Sequence, residues 1–223
     1  MINIAIDGPS GAGKSTLAKQ IAGARGYIYV DTGALYRAIG LYAKRIGITL
    51  DEPGKICDHL DEITIELRHE DGVQKVYLNG EDVGGLIRTQ EISAYASAVS
   101  AQPPVREFLL DLQRDIAKKN DVVMDGRDIG TVILPDAQVK IFLTASDEGR
   151  AARRFKELTD KGIETTFEKV LEEMRERDKN DSSRTIAPLV PAPDAVLFDN
   201  TSYGMEEQLE KALEIIDGKL AGD

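Results

Sequence analysis

The sequence predicts an α/β fold in which short buried strands alternate with amphipathic helices. Three observations lead there. Short apolar runs recur along the chain, each run is followed by a turn and then by a segment of helical spacing, and one stretch alternates between apolar and polar residues at Ile63, Ile65 and Leu67 and again at Val76 and Leu78. The first two describe strands joined by crossover helices, and the third describes a small antiparallel hairpin inserted among them. At 223 residues with 42% hydrophobic content, the chain has the size and the core material of one main domain.

The first strand is the run Ile2 to Ile6. Directly after it, Gly8-Pro9-Ser10-Gly11-Ala12-Gly13-Lys14-Ser15-Thr16 fits the pattern G-x-x-x-x-G-K-[ST], and Leu17, Ala18, Ile21 and Ala22 give the helix that follows. A loop of this kind holds a nucleoside triphosphate. Its glycines bring backbone N–H groups around a phosphate, and the helix beginning near Lys14 adds its positive end. Lys14 is expected to reach the β- and γ-phosphates, Ser15 to offer its hydroxyl to Mg²⁺, and Thr16 to cap or hydrogen-bond nearby. A chance glycine-rich turn would not need the strand before it and the helix after it.

Tyr27 to Val30 is a second strand ending at Asp31-Thr32-Gly33, and Ala34 to Arg45 is a helix with Leu35, Ile39 and Tyr42 on one face, stopped by Gly47. Asp51-Glu52-Pro53 opens a short helix carrying Cys57 and Leu60. In the hairpin, Ile63, Ile65 and Leu67 alternate, Asp71-Gly72 offers a turn, and Val76 and Leu78 alternate again before Asn79-Gly80. Residues 63 to about 90 read as a mobile subdomain, with an ornamental surface hairpin as the plain alternative. Small residues at helical spacing run from Gln90 to Ala101, and Pro103-Pro104 starts a longer helix to about Lys119.

Strand signals return at Asp121 to Asp125, followed by Gly126-Arg127-Asp128, and at Lys140 to Thr144. An acidic residue at a strand end beside a phosphate loop commonly serves the Mg²⁺ shell. Asp125 is therefore the metal candidate, through water, with a loop cap as its alternative. Two charged helices span roughly 147 to 160 and 166 to 180, the second with Thr165 and Glu168 as a capping box. On the first, Arg150, Arg153 and Arg154 crowd toward one side. Such a run is ordinarily a solvated face; here a phosphate loop elsewhere in the chain supplies something to bind. Pro188, Pro191 and Pro193 make a rigid exit, Ala195 to Asp199 is a last strand, and Met205 to Leu220 a last helix.

The formal net charge of −11 argues against nucleic acid or a membrane surface as partner. The lone Cys57 allows no intrachain disulfide and indicates no zinc site. There is no signal-peptide pattern and no apolar run near the ~18 residues of a membrane span. The chain reads as cytoplasmic and, lacking a leftover apolar stripe, as a monomer. His59 and His69 read as surface residues, and Tyr27, Tyr29, Tyr36 and Tyr42 as packing residues. Arg88 reads as a tie between insertion and core.

Gly8 to Thr16, Asp31-Thr32-Gly33-Ala34-Leu35-Tyr36-Arg37, Ile87-Arg88-Thr89-Gln90, Asp125-Gly126-Arg127-Asp128-Ile129-Gly130-Thr131 and Ile186-Ala187-Pro188-Leu189-Val190, taken in order, resemble the bacterial cytidylate kinases. The first segment is shared by many nucleotide-binding proteins, whereas Asp-Gly-Arg-Asp-x-Gly-Thr with a mid-chain insertion is far more specific. The resemblance implies the phosphate-loop nucleoside monophosphate kinase fold: a five-stranded parallel core sheet flanked by helices (residues 1–31, 102–145 and 186–223), a monophosphate-binding region with the hairpin (about 32–101) and a short helical lid (about 146–185). It also implies transfer of the ATP γ-phosphoryl group to CMP or dCMP. Thr32, Arg37 and Arg127 would hold the acceptor phosphate. Ser97, Arg106 and Asp128 would read cytosine, Arg177 and Asp181 meet the ribose, and Arg184 sit near the phosphates. Arg150, Arg153 and Arg154 would belong to the lid over the donor. Lys14, Arg127, Arg154 and Arg184 are the expected catalytic group, and insertion and lid would close over the nucleotides and exclude water.

The chemistry asks for the same parts. Phosphoryl transfer needs two anions brought in line and their charge neutralised, and no general base, because the acceptor oxygen is already ionised. Asp128 would accept from the cytosine amino group and repel the uracil carbonyl. Two other readings share the phosphate loop: a kinase for another small acceptor, and a nucleotide-driven switch or ATPase.

Overall fold

In the computed structural model, which describes residues 1–70 and 73–222, β1 (Asn3–Asp7) runs through the middle of a five-stranded sheet. The other strands are β2 (Ile28–Asp31), β6 (Val122–Gly126), β7 (Val139–Thr144) and β8 (Val196–Asp199), in the order β2-β6-β1-β7-β8. β1 pairs in parallel with β6 from Asn3↔Val122 to Asp7↔Gly126, and with β7 from Ile4↔Val139 to Asp7↔Phe142. A central parallel strand is covered on both faces, which is why Ile4, Ala5 and Ile6 are consecutive and all fully buried.

By contact the chain divides into two units, Met1–Tyr29 with Lys119–Asp223, and Val30–Lys118. The first contains β1, β6, β7, β8 and the start of β2, with α1 (Lys14–Arg25), α5 (Asp147–Asp160), α6 (Phe167–Ser182) and α7 (Met205–Ala221). Its core joins Ile4, Ile6, Leu17, Ile21, Val123, Ile141, Leu143, Phe198 and Ile216. A satellite cluster of Ala151, Leu158, Val170 and Met174, packed by Phe155 and Phe167, holds α5 against α6. α6 is capped by Thr166, whose hydroxyl accepts from Lys169 N at 3.2 Å, so the expected box of Thr165 and Glu168 is one residue out of register. Starting the helix at Phe167 is what turns that ring toward the satellite cluster.

The second unit contains α2 (Thr32–Arg45), a 3-10 segment (Pro53–Glu62), β3 (Ile65–Glu70), β4 (Val73–Leu78), β5 (Glu81–Asp82), α3 (Gln90–Ser100) and α4 (Pro103–Lys119). α4, which the sequence reading places with the parallel core, clusters here through Val105 and Leu109. β3 and β4 are antiparallel as expected, and the unforeseen β5 makes a third strand. Asn79 and Gly80, with φ of 49° and 82°, form the left-handed pair that folds β5 back so that Leu78 faces Glu81. The expected Asp71-Gly72 turn lies outside the described residues. α2 and α3 approach closely at Gly40, where a Cβ would stand 2.9 Å from Ala96 N.

Candidate active site

The end of β1 delivers the chain into the glycine-rich loop. A Cβ on Gly8 would come within 2.0 Å of Leu143 O, so nothing larger fits between β1 and β7. Gly13 sits at φ 91° as the N-cap of α1 and offers no side chain to satisfy the first-turn N–H groups, which remains the task of an anion. Lys14 Nζ donates to Pro9 O at 2.7 Å across the loop. Burial first, and then the neighbouring Arg127 and Arg177 guanidinium groups, pull the Lys14 ammonium well below its ordinary range, against Asp125 and Asp7.

Ser15 Oγ donates to Asp125 Oδ2 at 2.9 Å, and Tyr29 OH donates to Asp125 Oδ1 at 2.9 Å. Tyr29, read from the sequence as packing, is thus also the support of the buried Asp125, and Lys19 Nζ lies 5.4 Å from its ring centroid. A hydroxyl beside a carboxylate is hard oxygen chemistry that suits Mg²⁺. No group of three or more histidine, cysteine, aspartate or glutamate side chains able to hold a metal occurs among the described residues. The remaining ligands of a metal here would be water and nucleotide phosphate.

Beyond β6, Arg127 Nε donates to Asp181 Oδ2 at 2.9 Å, and Arg184 Nε donates to Asp181 O at 3.2 Å. Burial pushes the Asp181 carboxyl up, but Arg127, Arg184 and Arg177 together hold it below the usual carboxylate range. Residues far apart in sequence, Lys14, Arg127, Arg177, Asp181 and Arg184, therefore share one electrostatic neighbourhood. Asp128 is buried beside them, 4% exposed.

The three arginines of α5 do not share one face in use. Arg150 is buried: Nη1 donates to Ser10 O at 2.7 Å, Nε to Ala145 O at 3.2 Å, and the remaining reach goes to Asp147 and Asp178. Arg153 donates to Asn200 Oδ1 at 3.2 Å and Asn200 O at 3.1 Å, while Arg154 turns to Glu157 at 2.8 Å. Helical spacing put them side by side, and different acceptors separated them. Asp178 and Asn200 were not singled out from sequence. Asp178 Oδ1 accepts from Ser10 N at 3.0 Å, and Asn200 Nδ2 donates to Ala12 O at 2.8 Å, so both brace the phosphate loop from outside.

In the second unit, Asp31 caps α2 by accepting from Ala34 N at 3.0 Å and pairs with Arg37 at 2.9 Å. Arg88 reaches Asp31 at 3.8 Å, and Thr32 is buried at the start of α2. Arg106 Nη1 donates to Ser100 O at 3.0 Å, and its guanidinium carbon lies 5.5 Å from the Tyr36 ring centroid. Ser100 Oγ in turn donates to Ser97 O at 2.9 Å, which brings Ser97 and Arg106 into one short chain of contacts. Asp31, Tyr36 and Ser100 thus support residues that the sequence pointed to without them.

Comparison with known proteins identifies the family. The family model described as Cytidylate kinase matches residues 4–218. A relative named Cytidylate kinase from Caldicellulosiruptor saccharolyticus is 52% identical over 214 residues, covering 96% of this chain and 95% of its own. One of the same name from Thermosipho melanesiensis is 50% identical and covers 97% of each chain. The fold is also similar to the crystal structure of an uncharacterized protein from Eubacterium ventriosum, with a TM-score of 0.52, 13% identity and full coverage of both chains. With the family pattern matched along nearly its whole length, the chain belongs to the cytidylate kinase family.

Proposed function

We propose that this protein transfers the γ-phosphoryl group of ATP to CMP or dCMP, giving ADP and CDP or dCDP. The observation that carries the reading is that Lys14 of the phosphate loop shares one electrostatic neighbourhood with Arg127, Arg177 and Arg184, guanidinium groups suited to an acceptor phosphate beside their partner Asp181.

The loop Gly8 to Thr16 wraps the donor phosphates, with Lys14 on the transferring end. Arg150, buried against Ser10, sets the loop's shape, while Arg153 and Arg154 face the donor. Thr32, Arg37 and Arg127 hold the acceptor phosphate, Ser97, Arg106 and Asp128 the base, and Arg177 and Asp181 the ribose. Lys14, Arg127, Arg154 and Arg184 neutralise charge that spreads over the transferring group. Ser15, and Asp125 through water, would hold Mg²⁺, which would supply further neutralisation of the donor phosphates. The acceptor oxygen attacks as the anion it already is, so no proton need leave the protein. In this reading the protein acts as a cytoplasmic monomer on small nucleotides, and no helix among the described residues is long and apolar enough to cross a membrane.

Base choice rests on Asp128. A buried carboxylate accepts from the cytosine amino group, and a carbonyl in its place leaves it unpaired, a mismatch that supports discrimination of roughly 10⁴-fold. With γ-labelled ATP, label is expected in CDP, and Asp128→Ala is expected to narrow the CMP-to-UMP ratio of kcat/KM by at least about 10-fold. Equal losses on CMP and UMP would overturn the assignment.

A further inference from the structure

Asp7 is a buried carboxylate that none of the roles above uses. The phosphate-loop pattern asks nothing of the residue before its first glycine, and an apolar strand running to Ile6 gives no reason to end on a charge. Asp7 is nevertheless 5% exposed, at the last position of β1. Its Oδ1 accepts from Ile129 N at 2.8 Å and its Oδ2 from Gly130 N at 2.7 Å.

Those two N–H groups have a particular position. Ile129–Ile133 is a single π turn, unforeseen from sequence, in which Asp128 O accepts from Val132 N and Ile133 N, and Ile129 O accepts from Leu134 N. The N–H groups that open a helical turn have no partner within it. Here a carboxylate from a neighbouring strand supplies both partners. A Cβ on Gly130 would sit 3.4 Å from Asp7 Oδ2 and 3.2 Å from Lys140 Cδ, so the approach is close.

The same residue also anchors the other side. In the β1–β6 ladder Asp7 stands opposite Gly126, where β6 ends. Only Arg127 and Asp128 lie between that backbone anchor and the carboxylate anchor at Ile129. Both ends of this two-residue span are held by Asp7, which is itself joined by a peptide bond to Gly8.

We propose that Asp7 is a positioning residue for acceptor recognition: by capping the turn at Ile129 and Gly130 it fixes Arg127 for the acceptor phosphate and Asp128 for the base. The proposal rests on the assignment of those two residues in the kinase reading. Lys14 and Asp128 are the charged groups that act on the Asp7 carboxylate, one of each sign, and neither replaces its contacts to Ile129 and Gly130.

Asp7→Asn tests it, because the amide keeps the shape and one acceptor oxygen but turns an NH₂ group toward a backbone donor. Loss of a charged hydrogen bond predicts a kcat/KM for CMP lower by about 10- to 100-fold, carried in KM for CMP, with a reduced CMP-to-UMP ratio. KM for ATP should rise less than KM for CMP, since the loop's own backbone donors are untouched and Asp7 acts on Lys14 only through its charge. Parallel rises in the two KM values, or an unchanged CMP-to-UMP ratio, would overturn the proposal. Failure of the kinase reading would show first, as a wild-type protein inactive on CMP. Whether Asp7 caps the turn is read separately by hydrogen exchange, where faster exchange at Ile129 and Gly130 in Asp7→Asn is expected and unchanged protection overturns the proposal.

Discussion

At the scale of single residues, the site is set by buried carboxylates and what they accept from. Asp125 takes a serine and a tyrosine, Asp181 takes arginines, and Asp7 takes two backbone N–H groups. Asp7 has the clearest thermodynamic signature. Burial first, aided by Asp128, raises its carboxyl from 3.8 to about 6, although the N–H groups of Gly130 and Ile129, and Lys14, pull it down. A raised carboxyl binds its proton more tightly in the folded chain than in the unfolded one. Stability from this group is therefore complete below about pH 4 and lost as pH rises through about 6, a cost of roughly 3 kcal/mol at neutral pH. Asp7→Asn removes that dependence. Melting curves should show the variant gaining on the wild type between pH 4.5 and 7, and a gap that is constant with pH would contradict the raised value. The sequence pointed to Lys14 and Ser15 through the fixed spacing of the phosphate-loop pattern, and to Arg127 and Asp128 only through the resemblance to the family. It hid Asp7 and Asn200, whose importance comes from partners 122 and 188 residues away.

At the scale of elements, the strands and helices were readable because apolar period and turn chemistry agree along the chain. The features that escaped depend on single hydrogen bonds. β5 consists of two charged residues and exists because Asn79-Gly80 turns it onto β4. The π turn is defined by two hydrogen bonds that span five residues, from Ile133 N to Asp128 O and from Leu134 N to Ile129 O. Arg150 illustrates the limit best: position on α5 suggested a charged outer face, yet the guanidinium is buried and, with Asp178 of α6, grips Ser10. This couples the α5–α6 pair to the phosphate loop. Asp178→Ala removes an acceptor from Ser10 N and leaves the buried Arg150 without one of its two counter-charges. KM for ATP is expected to rise by about 10-fold or more, with KM for CMP changed less. Steady-state titration of each substrate measures both, and a selective rise for CMP would place Asp178 in a different role.

At the scale of the molecule, each unit carries its own share of the recognised residues. The first holds the phosphate loop with Asp125, Arg127, Asp128, Arg177, Asp181 and Arg184, and the second holds Thr32, Arg37, Ser97 and Arg106. Against a net charge of −11, the first unit gathers Lys14, Arg127, Arg177 and Arg184 around Asp181 and the phosphate loop. The family fixes the fold and the kind of donor and acceptor, and the proposed choice of cytosine is what an acceptor panel tests. The most direct measurement is ADP formation by the purified protein with Mg²⁺-ATP and, in turn, CMP, dCMP, UMP, AMP, GMP or no acceptor. Rapid turnover with CMP and dCMP, and little with the others, is the predicted result. Equal ADP release with no acceptor, or preference for a purine monophosphate, would contradict it.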